Sequence, residues 1–89
     1  MKKYILVICM NYLMTGVAMR KKFAQLGGKA KCRVTEGIIE TDDEIYLFRM
    51  AIKERLMGME VSKIIFEDGV SPEDKEMVEK YVRIKKGRK

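Results

Sequence analysis

Apolar residues fall into two kinds of run along this chain, and the change from one kind to the other sets the expected elements. YILVICM, residues 4–10, is unbroken and rich in β-branched residues. Such a run, without alternation, fits a central strand covered on both faces. Asn11 follows, and its side-chain oxygen suits a helix cap. Between residues 12 and 26 apolar positions recur four apart: Leu13 with Val17, Met14 with Ala18, then Met19, Phe23 and Leu26. That period predicts a helix with an apolar face, closed by Gly27 and Gly28. Residues 31–35 alternate, so Cys32 and Val34 are expected to face inwards and the bases outwards. Gly37 marks a bulge or turn, after which Ile38 and Ile39 resume a strand. Thr41, Asp42 and Asp43 read as a turn into EIYLFRM, residues 44–50, which predicts an antiparallel hairpin about Asp42 and Asp43.

Residues 51–57 have room for one or two helical turns, with Ile52 and Leu56 on one side and Gly58 as the stop. Residues 61–66 predict a last strand. Its KIIF core is bounded by turn signals, which suggests burial on both faces. The surrounding stretch, residues 54–69, is therefore the expected centre of the domain. Further on, Ser71 caps a helix, Pro72 takes its first position, and Glu73 and Asp74 fall in its first turn. Met77 with Tyr81 and Val78 with Val82 make that helix amphipathic. The order β-α-β-β-(short α)-β-α predicts an α/β fold. It is a small Rossmann-like or P-loop-like sheet with parallel central strands, a hairpin edge and helices packed on the sheet. Residues 1–84 form the one domain, and residues 85–89 a frayed basic tail.

A chain of 89 residues with 47% apolar content is expected to fold as one small domain. Its eight methionines read as an adaptable core. Lys2 and Lys3 before YILVICMNYLMTGVAM have the charged-then-apolar profile of a signal peptide. Asn11 and Tyr12 interrupt that profile, and no small-x-small cleavage site follows. The apolar-leaning stretch also falls short of the roughly twenty residues of a membrane span, so no membrane association is expected. Cys9 and Cys32 lack metal-ligand spacing, and the chain has no histidine. Cys9 reads as a buried small hydrophobe, and two thiols without a disulfide framework fit a reducing cytoplasm.

Charge is segregated. The net charge is +6, and residues 1–35 hold eight bases and no acid. Residues 36–82 hold thirteen acids and six bases, and residues 83–89 five bases and no acid. Arg20, Lys21 and Lys22 near the end of the first helix suit the negative end of its dipole. Together with Lys29, Lys31 and Arg33 they also outline a surface that would meet phosphates without reading bases. Lys85, Lys86, Arg88 and Lys89 extend that basic set into the tail, although no aromatic residue is interleaved there. The expected partner is nucleic acid or an acidic protein. Self-association is a third option, because so small a sheet leaves edges that need cover.

One stretch carries a resemblance. Arg55-Leu56-Met57-Gly58 leads into Ile64-Ile65-Phe66-Glu67-Asp68. This resembles the ATPase core of phage terminase large subunits and related helicase-like motors, where an Arg-Leu-x-Gly loop precedes a Walker B strand closing on two acids. Here the acids stand in the reverse order. No G-x-x-x-x-G-K-[ST] is present to cradle nucleotide phosphates. The resemblance therefore implies the sheet topology of such a core and not ATP hydrolysis. The setting it suggests is a small phage-borne accessory or host-directed protein in the host cytoplasm.

Glu67 and Asp68 are the candidate metal ligands, for a divalent ion that further carboxylates would have to complete. Asp42, Asp43 and Glu44 are the acids available, and sequence does not bring them near. The bland alternative is that Glu67 and Asp68 open a loop before the last helix. No catalytic set is legible: without histidine neither thiol has an evident base. Thr15 and Ser71 suit helix and cap. No cofactor is implied. The expected function is a small non-catalytic binding module. The alternative is a metal-dependent or nucleotide-handling subunit completed by another chain.

Overall fold

The computed structural model describes residues 2–85. The strands are β1 (Lys3–Cys9), β2 (Lys31–Arg33), β3 (Ile38–Glu40), β4 (Glu44–Met50), β5 (Glu60–Val61), β6 (Lys63–Phe66) and β7 (Arg83–Ile84). The helices are α1 (Tyr12–Gln25), α2 (Lys53–Leu56) and α3 (Pro72–Tyr81).

β1 is buried from Ile5 to Cys9 because both its faces are covered. Ile5, Val7 and Cys9 pack with Ala18 and Met19 of α1 and with Tyr46 and Phe48 of β4. Leu6 and Ile8 point the other way, to Leu56, Val61, Val70, Val78 and Val82. One unbroken apolar strand thus joins two cores, and each fully buried side chain contributes about 1.5–3 kcal/mol. The result is three layers: α1, a sheet, and α2 with α3.

The five-stranded sheet has the order β2-β3-β4-β1-β6. β1 runs parallel to β4 and β6, while β3 is antiparallel to β2 and β4. The hairpin expected about Asp42 and Asp43 is the β3–β4 connection, with Thr41 Oγ1 accepting from the Glu44 and Asp43 amides. The parallel centre and the mixed α/β architecture match the sequence reading.

Several local expectations change. Cys32 and Val34 do not face inwards: β2 is exposed throughout, and Val34 stands 71% exposed in the turn beyond it. β2 is an edge strand that no helix covers, so alternation there has no buried side to report. Residues 61–66 are not one strand. Ser62 divides them, its amide donating to the Tyr4 carbonyl, while β5 pairs with β7 in a separate two-stranded sheet. β6 is the other edge of the main sheet and only half buried, so β1, and not residues 54–69, is the organising element. Within α1, Leu13 and Val17 lie exposed, leaving Ala18 and Met19 as its buried contacts. Arg83 and Ile84 are strand, and the Lys85 amide donates to the Val61 carbonyl. Lys86, Arg88 and Lys89 lie outside the described residues.

Candidate functional site

Two connections leave the sheet side by side and in opposite directions. After β1 the chain passes to α1 on one face, and after β4 it passes to α2 on the other. β1 and β4 are neighbours, so their carboxyl ends form the topological switch point at which open α/β sheets place ligands. A cleft of about 480 Å³ opens there. Tyr12, Leu13 and Arg20 of α1 form one wall, Val34, Glu36 and Gly37 the other, and Arg49, Met50 and Arg55 the end of β4 and its continuation.

Each basic group has a local reason for its position. Arg49 is the penultimate residue of β4, where its strand neighbour β3 has not yet begun. Its Nη1 donates to the carbonyls of Glu36, Gly37 and Phe48 at 3.0, 3.2 and 2.9 Å. Those bonds fasten the β2–β3 turn to the end of β4. Burial holds the Arg49 guanidinium below its ordinary pKa, and the Arg55 cation nearby lowers it further. Neither arginine forms an ion pair among the described residues; Glu36, the acid in the cleft, is 3.5 Å from Arg33 instead. Arg20 projects from the exposed side of α1. Tyr12 and Leu13, 79% and 73% exposed, give the same rim a large apolar surface.

α1 begins at this rim. Asn11 Oδ1 accepts from the Met14 amide at 2.9 Å, and Thr15 Oγ1 donates to the Tyr12 carbonyl. The first turn contains no acid, so the partial positive charge of the helix start adds to that of the arginines.

The residues singled out in the sequence are dispersed. Arg20 joins the cleft, while Lys21 and Lys22 flank a second hollow of about 180 Å³ that also includes Glu67. Lys22 Nζ sits 4.5 Å from the Tyr46 ring centroid. Lys31 pairs in register with Glu40, at the amino ends of β1 and β4. Lys2 also bonds to Glu40, and this contact, with the charges of Lys2, Lys31 and Arg33, holds the Glu40 carboxyl below its usual range. Lys29 is exposed in the turn leading into β2. Lys85 is exposed beyond β7.

Glu67 and Asp68 lie past the carboxyl end of β6, beside the end of β1, where the Glu67 amide donates to the Ile8 carbonyl. Asp42, Asp43 and Glu44 lie at the opposite end, because Glu44 pairs with Lys3 at the start of β1. The length of β1 separates the two acid groups, roughly 20 Å at ordinary strand rise. Among the described residues no three acids or thiols converge in a metal-holding group. Cys9 is buried, and desolvation with the charge of Glu67 pushes its thiol up to about 11. It is a packing residue and a poor nucleophile at neutral pH. No helix among the described residues is long and apolar enough to cross a membrane.

Sequence reasoning did not single out Arg49, and it took Arg55 only as part of the Arg-Leu-x-Gly resemblance. The available signal was a base inside an apolar strand, EIYLFRM, just where the strand ends. Comparison with family models, with curated proteins and with solved structures finds no significant match to this chain.

Proposed function

We propose that this chain is a non-catalytic binding module that holds the phosphates of a single-stranded nucleic acid across the switch-point cleft. The observation that carries the reading is the juxtaposition of Arg49 and Arg55, close enough to lower the Arg49 pKa, with no carboxylate paired to either among the described residues. Two cations held together without a counter-ion favour an anion from outside. Arg20 and the start of α1 add positive charge on the facing wall. The exposed Tyr12 ring beside them supplies the stacking platform that single-strand sites combine with basic grooves. A cleft of this size admits one nucleotide of a strand, and its cations would meet backbone without choosing sequence.

The metal-dependent alternative has weaker support, since among the described residues no third acid or thiol joins Glu67 and Asp68 in a metal-holding group. The deciding experiment is fluorescence anisotropy with a labelled single-stranded oligonucleotide and its duplex across a salt series. Salt-sensitive binding of the single strand, reduced at least tenfold by Arg49→Gln with Arg55→Gln, supports the proposal. Failure to bind at low salt, or equal binding by the double variant, overturns it. Tight binding of an acidic peptide in place of the oligonucleotide would move the same cleft to a protein partner.

A further inference from the structure

The two edges of the main sheet are guarded differently. β2 presents Lys31, Cys32 and Arg33, all exposed, so a second copy pairing there would set like charges against each other. β6 presents Ile64, Ile65 and Phe66 half exposed, with Lys63 at its start and Glu67 just past its end. Among the described residues no strand pairs with its outer side.

The outward polar groups of β6 follow from its inner pairing. The Glu67 amide donates inwards to Ile8, and strand groups alternate along β6, so the amides and carbonyls of Lys63 and Ile65 point to β1 and those of Ile64 and Phe66 point away from it. We infer that β6 is a homodimer edge, joining antiparallel to β6 of a second copy. In the register that satisfies every outward group, Ile64 of each copy exchanges both backbone bonds with Phe66 of the other. Ile65 then meets its own counterpart at the two-fold axis, on the face of α1. Lys63 and Glu67 lie on the same face of the strand, and this register sets each Lys63 directly opposite the Glu67 of its partner copy. The edge is thus self-complementary in hydrogen bonds, apolar contact and charge, as an isologous interface requires. Pairing would continue the sheet from five strands to ten.

The test is sedimentation velocity on the full chain from low to high micromolar concentration at low salt. The expected result is a concentration-dependent species of twice the 10.4 kDa chain mass. Ile64→Pro removes an outward donor while sparing the pairing with β1, and is expected to give a monomer with unchanged circular dichroism. Charge exchange decides the matter if that variant fails to fold. Lys63→Glu alone and Glu67→Lys alone should each weaken dimerisation roughly tenfold, and the two together should restore it. A wild-type chain that stays monomeric throughout, or a dimer indifferent to these substitutions, overturns the inference.

Discussion

The Gly37 carbonyl accepts a hydrogen bond from Arg49 Nη1 at 3.2 Å, and Gly37 adopts φ +69° to make it. A Cβ on Gly37 would stand 2.9 Å from that same Nη1 and 2.8 Å from the Phe48 carbonyl oxygen. The neighbouring backbone cannot yield, since the Phe48 amide donates to the Gly37 carbonyl at 2.8 Å. Turn and arginine are therefore one unit: the glycine lets the β2–β3 turn close upon β4, and the guanidinium locks it there.

Gly37→Ala is accordingly expected to destabilise the fold by about 1–3 kcal/mol, through positive φ and the clash together. Gly16→Ala is the matched contrast. Gly16 lies within α1 and a Cβ there meets nothing within 4 Å, so the change should stabilise by about 0.5–1 kcal/mol. Urea denaturation of the two variants beside the parent chain checks both signs.

The salt dependence of oligonucleotide binding counts the cleft's phosphate contacts. Arg49→Gln or Arg55→Gln should each reduce the slope of log affinity against log salt by about 0.7, the value for one phosphate on a single strand. Lys29→Gln, at a turn distant from the switch point, should leave the slope unchanged. Anisotropy titrations at four salt concentrations give the comparison.

Alkaline pH should weaken the fold in two stages. Burial raises Cys9 from 9.0 to about 11, and burial with the Glu44 hydrogen bond raises Tyr46 from 10.0 to about 12. In each interval the unfolded chain has lost a proton that the folded chain retains, so stability falls as pH rises. Each group lowers it by about 1.4 kcal/mol per pH unit at most. Cys9→Val should delay the onset from about pH 9.0 towards pH 10.0. Chemical denaturation between pH 8 and pH 12 reads the shift.

The helix caps separate stability from binding. Ser71 Oγ accepts from the Asp74 amide at 3.1 Å, and Asn11 Oδ1 does the same for Met14. Ser71→Ala and Asn11→Ala should each cost about 1 kcal/mol. Oligonucleotide affinity should fall with Asn11→Ala alone, because Asn11 organises the turn of α1 that carries Tyr12 and Leu13 into the cleft. Thermal melts and anisotropy on the same samples distinguish the two effects.

Local rules were enough for the elements that carry their own signals. YILVICM announced a strand covered on both sides because burial leaves no polar alternation to break the run, and Ile5 to Cys9 are buried. Asn11, Ser71 and Pro72 announced helix starts because capping is a contact over three residues, and both caps form. What depended on position within the assembled sheet was not legible. KIIF reads alike at a centre or an edge, and pairing order put it at the edge. Cys32 and Val34 alternate as a half-buried strand should, yet no layer covers β2. The cleft gathers Arg20, Arg49 and Arg55 from three elements, and nothing in their spacing along the chain encodes that meeting. It follows from adjacent strands whose connections leave to opposite faces, a relation that exists only once distant segments have paired.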